Sequence, residues 1–196
     1  AYLLARGLSG AIVKRFGLGY SPPSGKMMTN HLRSLGFKDE EIHTAYFAGK
    51  NDRGYYDYFR GRVMFPIIDV SGNVVAFGGR VLDDSKPKYL NTSNTPAFIK
   101  GKNLFALNFA KNYCSEGMIL CEGYLDVISM HQAGFQNAVA TLGTAITADH
   151  ARIIKKYTSK VILSYDSDEA GQRAAQRAIP MLEKVGIRVK VLQMKD

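Results

Sequence analysis

The chain divides into an α+β first half with a strong basic excess and an α/β second half built on a mainly parallel sheet. Three observations predict this. From Met118 onward strand-like and helix-like runs alternate, as parallel strands joined by right-handed crossovers require. In the first half, two apolar runs flank Ser71-Gly72-Asn73 in the manner of a β-hairpin. Charge is uneven as well: residues 1–114 hold 16 Lys and Arg against 8 Asp and Glu, whereas residues 115–196 hold 10 against 9. We therefore expect one domain over 1–114 and another over 115–196.

The first 50 residues read as short helices around Ala11–Phe16, Met27–Leu35 and Asp39–Phe47, with Asp39 as the expected N-cap of the third and Glu40 and Glu41 in its first turn. GLGYSPPSG between them reads as loop, and its GxG has no preceding strand to make it a nucleotide fingerprint. The aromatic cluster Tyr55, Tyr56, Tyr58 and Phe59 precedes Arg60 and Arg62, and packing is the expected role of its rings. RVMFPIIDV and VVAFGGRVL are the hairpin strands. The polar stretch DDSKPKYLNTSNTPAFIKGKN is the first half's expected functional loop, since binding groups concentrate on loops carried by rigid elements. A helix from Leu104 to Lys111 closes this half. In the second half MILCEG, NAVATLG, VILSYD and RVKVLQM read as strands. YLDVISMHQAG, TADHARIIKKY and EAGQRAAQRAIPMLEKVG read as helices, the middle one capped by Thr147.

With 196 residues and 46% of them hydrophobic, the chain is long enough to bury a core. No apolar run approaches the roughly 20 residues that span a bilayer, and AYLLARGLSG lacks a basic leader and a signal-peptide core, so a cytoplasmic protein with no membrane partner is expected. The start at Ala1 and the stop just after an apolar run suggest a piece of a longer protein. Cys114 and Cys121 form no CxxC pair and are expected as buried free thiols, which leaves no thiolate zinc site in this fragment. His31, His43, His131 and His150 are scattered, with no HExxH, and read as surface or packing residues. A net charge of +9 fits either a solvated surface or a polyanionic partner such as nucleic acid.

Three carboxylates stand out by position. Glu122 falls at the C-terminal end of one strand, and Asp166 and Asp168 at the end of another, where open parallel sheets place their ligand crevice. Acidic groups gathered there repel unless a hard cation neutralises them, and Mg²⁺ takes one or two carboxylates plus waters and phosphates. An EF-hand starting at Asp166 is excluded, because Ala170 and Arg177 occupy its fifth and twelfth positions. No Walker A sequence occurs, which leaves metal-assisted phosphoryl transfer without a P-loop.

EGYLD, from Glu122 to Asp126, followed by DSDEAG, from Asp166 to Gly171, resembles the Toprim domain shared by DnaG-type primases, type IA and II topoisomerases and some nucleases. Upstream, RVMFPI, FGGRVL, PKYLNT and FIKGKNLF are similar, in order and context, to the first half of the catalytic core of bacterial DnaG-type primases. The likeness begins at YLLARGLS and covers nearly the whole chain.

This resemblance implies an α+β basic subdomain followed by an α/β Toprim domain, and a DNA-dependent RNA polymerase that synthesises short RNA primers for replication. Glu122, Asp166 and Asp168 would carry the divalent metals, Mg²⁺ or Mn²⁺, and the catalysis. Asp126 would assist through water or a second metal, or would only hold the loop. Arg80, Lys88, Tyr89, Asn91 and Lys100 would form a nucleotide- and template-binding surface facing the metals, with Arg62 as a further template contact. Lysine offers phosphate a point charge, arginine a bidentate fork, and tyrosine a face for a base. Implied partners are single-stranded DNA, ribonucleoside triphosphates, the RNA primer, and a replicative helicase through a domain outside this chain. A zinc-binding domain is implied upstream, and a further acidic pair beyond residue 196. A polyphosphate-reading site would also admit guanosine tetraphosphate and pentaphosphate. Two rivals stand beside this reading: a topoisomerase or nuclease using the same carboxylates, and a non-catalytic nucleic-acid clamp.

Overall fold

The computed structural model describes residues 2–192. The first half opens with α1 (Tyr2–Ala5) and α2 (Gly10–Arg15), then β1 (Gly19–Ser21), α3 (Met27–Ser34) and α4 (Asp39–Thr44). The strands β2 (Ala48–Asn51), β3 (Gly54–Asp57), β4 (Arg62–Ile68), β5 (Val74–Val81) and β6 (Tyr89–Asn91) follow, then a 3-10 turn at Lys100–Lys102 and α5 (Leu107–Ala110). An antiparallel sheet in the order β1-β4-β5-β6 carries this half, while β2 and β3 pair as a separate ribbon. The hairpin β4–β5 pairs Arg62 with Val81 and Phe65 with Gly78. Its turn is closed by Asp69, whose carboxylate accepts from the backbone of Ser71 and Asn73 at 2.9 Å each, as aspartate does in turns.

Four local expectations are corrected. Lys38, with an extended backbone, is the N-cap of α4, and Asp39 is its first residue. The Asp39 carboxylate is drawn instead to Arg33, at 2.6 and 3.0 Å. Inside GLGYSPPSG, Gly19–Ser21 is β1, recruited by pairing with Arg62–Met64 of β4. The polar stretch contains β6, which completes the sheet by pairing Tyr89 with Arg80 and Asn91 with Gly78. The helix expected from Leu104 starts only at Leu107, because Phe105 exchanges backbone hydrogen bonds with Ala140 at 2.8 and 3.3 Å and Ala106 turns through a left-handed φ of 65°.

The second half alternates as expected: β7 (Met118–Cys121), α6 (Tyr124–Gln132), β8 (Ala138–Ala140), α7 (Ala148–Lys155), β9 (Lys160–Ser164), α8 (Glu169–Glu183) and β10 (Arg188–Val191). Every strand pair in this sheet is parallel, in the order β10-β9-β7-β8. Gln193 and Met194, expected in the last strand, lie outside the described residues. Thr147 caps α7 by accepting from the His150 backbone at 3.1 Å. Both cysteines are buried free thiols, and burial pushes Cys114 up to about 11 and Cys121 up to about 12. No described helix is long and apolar enough to cross a membrane.

The chain leaves β7 for β8 on one side and returns to β9 on the other, so the switch in winding lies between β7 and β9. Their C-terminal ends open the crevice that such a switch creates. Two apolar clusters fix the halves together. One joins Leu8, Phe16, Phe65 and Phe105 to Ile119, Cys121, Tyr124 and Ile128. The other packs Leu104, Leu107, Ala110 and Cys114 under the parallel sheet against Met118, Leu163 and Leu182.

Candidate active-site cleft

A cleft of about 450 Å³ lies where the antiparallel sheet meets the crevice of the parallel one. Arg6, Arg80, Lys88, Tyr89 and Asn91 line it from the first half, and Glu122, Asp126, Thr141, Gly143 and Asp166 from the second. The acidic wall is set by strand ends. Glu122 follows β7 directly, and its Oε1 accepts from the backbone of Asp166, just beyond β9, at 2.9 Å. Gly171 makes this approach possible, since a Cβ there would meet the Asp166 carbonyl and stand 2.6 Å from Glu122 Oε1. Asp126, in the first turn of α6, accepts from the Gly123 backbone at 3.0 Å, where the helix N-terminus favours negative charge.

Partial withdrawal from water raises the Glu122 carboxyl above its usual range, and the nearby charges of Asp166, Asp168 and Asp126 push the same way. Asp126 is raised for similar reasons, burial first and Asp166 after it. Glu122 and Asp126 therefore resist being fully charged together. Asp168 turns away in part: its Oδ1 caps α8, accepting from Gly171 at 2.8 Å. Among the described residues no three His, Cys, Asp or Glu side chains stand close enough to hold a metal by themselves. One or two carboxylate oxygens, completed by waters and phosphate, are what Mg²⁺ and Mn²⁺ accept. The donors fit such an ion.

The basic wall is built around Arg80, which is 8% exposed. Its guanidinium carbon stands 4.9 Å from the Tyr2 ring centre and 5.6 Å from that of Tyr89, and Arg6 stacks on Tyr2 at 5.6 Å. Its Nε and Nη1 are buried with no hydrogen-bond partner among the described residues. No described salt bridge joins the two walls. Unpaired guanidinium groups facing carboxylates across an open cleft suit a ligand that brings phosphates and a hard cation together.

Two expected contacts lie elsewhere. Lys100 is on the 3-10 turn that His150 and Thr147 hold against α7, the His150 Nε2 donating to the Lys100 carbonyl at 3.0 Å and Thr147 Oγ1 to that of Gly101 at 2.7 Å. Arg62 is 6% exposed and donates to the Gly79 carbonyl at 3.2 Å. A Cβ on Gly79 would meet Phe59 and Arg62, whereas one on Gly78 would meet Tyr124, so Arg62 stands on the face of the sheet opposite the cleft. Tyr2, Arg6, Tyr124 and Thr141 escaped the sequence analysis. YLLARG marked the first two only as the start of a resemblance, and nothing local ties them to Arg80.

The sheet-switch crevice lined by Glu122, Asp126 and Asp166 belongs to a Toprim-like domain, since residues 119–196 match the family so described. Residues 1–111 match the DNA primase catalytic core, N-terminal domain, and the chain belongs to the DnaG primase family. The DNA primase of Clostridium acetobutylicum is 46% identical over 196 residues, all of this chain and 33% of that protein. That of Deinococcus radiodurans is 44% identical over 96% of this chain and 34% of its own length. The chain thus spans about a third of the curated relatives it matches. A DnaG primase catalytic domain bound to single-stranded DNA superposes with a TM-score of 0.89 at 39% identity, over all of this chain and 63% of that one. The Aquifex aeolicus primase, solved with its zinc-binding and RNA polymerase domains, gives 0.91 at 37%, over all of this chain and 49% of that one.

Proposed function

We propose that this chain is the nucleotide-joining part of a DNA primase, which links ribonucleotides into short RNA on single-stranded DNA for replication. The observation that carries this reading is the basic wall, Arg6, Arg80 and Lys88, which makes no described salt bridge and faces the strand-end carboxylates Glu122, Asp126 and Asp166. The reaction joins the primer 3′-hydroxyl to the α-phosphate of a ribonucleoside triphosphate, and pyrophosphate leaves. Arg80 and Lys88 bind the phosphates, Tyr89 offers a ring to a base, and Asn91 offers amide groups to sugar or phosphate. Lys100, on the flank, contacts template beyond the cleft, and Arg62 supports the sheet from its far side. Glu122 and Asp166, with Asp168 beside them and Asp126 reaching it through water, would hold Mg²⁺ or Mn²⁺ completed by waters and phosphate, and the ion would supply positive charge to the attacking and leaving oxygens. The chain's own share is placement and electrostatics. Zinc-binding and helicase-binding functions belong to segments of the protein outside this chain. Guanosine tetraphosphate and pentaphosphate, rich in phosphate, occupy the same cleft and compete with substrate.

The test is RNA synthesis by the full-length protein on a single-stranded template with nucleoside triphosphates and Mg²⁺. Glu122→Gln keeps an acceptor for the Asp166 backbone and removes a charge, so synthesis should fall at least about a hundredfold while the unfolding midpoint holds. Guanosine tetraphosphate should raise the apparent KM for GTP without lowering the maximal rate. Near-normal synthesis by the folded variant would remove Glu122 from the reaction. A nuclease or topoisomerase would instead cut template in the same assay.

A further inference from the structure

The hydroxyl of Tyr124 has a partner that its ring does not need. Tyr124 is 4% exposed and follows Glu122-Gly123 as the first residue of α6. Its ring stacks on Phe65 at 5.1 Å and 10°, meets Phe105 edge-on at 4.8 Å, and lies so close over Gly78 that a Cβ there would stand 2.7 Å from it. Phenylalanine would satisfy all of these contacts. The hydroxyl donates to Asn91 Oδ1 at 2.8 Å, and Asn91 Nδ2 donates to the Leu142 carbonyl at 3.2 Å. Gly143, at a φ of 67°, leaves the room that this amide fills.

An asparagine amide has two N–H donors and two acceptor sites. Tyr124 and Leu142 take one of each and thereby decide which way the amide faces. The remaining N–H and lone pair are left with a fixed direction at the cleft. Because Tyr124 begins two residues after Glu122, the same contact sets the distance between the acidic wall and β6, which carries Tyr89 and Asn91 beside Lys88.

Building on the proposed function, we infer that Tyr124 is a positioning residue for nucleotide binding: its hydroxyl orients the Asn91 amide and holds the Lys88–Asn91 edge of the cleft opposite Glu122. The contribution acts through Asn91 and has no meaning once that amide is gone. It concerns how substrate is held more than how fast it reacts.

The experiment is a double-mutant cycle in the full-length protein, with primer synthesis measured against nucleoside triphosphate concentration for the unaltered chain, Tyr124→Phe, Asn91→Ala and the pair. Tyr124→Phe should raise KM about three- to tenfold, the range one hydrogen bond spans, with a smaller change in kcat. In the Asn91→Ala background the same substitution should change KM less than about twofold. An unchanged KM in Tyr124→Phe overturns the inference, as does an equal rise in KM with and without Asn91. No RNA from the unaltered protein overturns the proposed function and this inference together, which keeps the two failures distinct.

Discussion

Arg80 carries a desolvation cost that its contacts with two tyrosine rings offset only in part. A guanidinium between two tyrosine rings with two donors unpaired is a group folding would rather leave in water. Arg80→Met keeps a stem between Tyr2 and Tyr89 and removes the stranded donors. The variant should gain about 1 kcal/mol or more in denaturant unfolding while its affinity for single-stranded DNA or nucleotide falls and depends less on salt. Lost stability with unchanged binding would mean the arginine serves the core alone. Arg80 was legible as a site residue because a known motif surrounds it. Tyr2 and Arg6 were not, since contacts between positions so far apart leave no periodic trace. Asp168 was legible as a carboxylate at a strand end, but its commitment to the N-terminus of α8 depends on a hydrogen bond to Gly171.

Elements with a period of their own were the readable ones. Apolar runs marked β4 and β5 and, alternating with helix-like stretches, the strands of the second half, and Thr147 marked the start of α7. β1 and β6, three residues each, exist because β4 and β5 have edges to pair, and that cause lies outside their own sequences. The histidines show what an element can conceal. His150 is fully buried, its Nε2 donating to the carbonyls of Lys100 and Asn103 at 3.0 Å and its Nδ1 accepting from the Thr147 backbone at 3.2 Å. His131 donates from Nε2 to the Ala138 carbonyl at 2.9 Å. The accepting Nδ1 makes the His150 ring neutral in the fold, His131 Nδ1 is buried without a partner, and burial lowers both rings below the usual histidine value. As pH falls the unfolded chain takes up protons first, so the stability present at pH 7 should decline below about pH 6.5, by up to about 1.4 kcal/mol per pH unit for each ring. Equilibrium unfolding between pH 7.5 and 5 measures this, and His150→Gln should flatten part of the slope. A flat profile in the unaltered chain would refute the assignment of neutral buried rings.

At the scale of the whole molecule, the cleft belongs to neither half. Glu122 and Asp166 come from one sheet and Arg80 from the other, and apolar clusters spanning both halves fix the gap between them. The bridge from Phe105 to Ala140 has a further effect. It occupies the outer edge of β8, which would otherwise present unpaired amide and carbonyl groups beside the apolar floor covered by Leu104 and Leu107. A polypeptide beginning at residue 115 would lose that cover and expose a sticky strand edge. Such a piece should self-associate in light scattering more strongly than one beginning near residue 103, which keeps the cover of the β8 edge and loses only the contacts that Phe16 and Phe65 make on the other face. Anyone wishing to transplant the acidic sheet as a module would therefore have to carry along a dozen residues of its neighbour, which behave as a built-in chaperone for its edge.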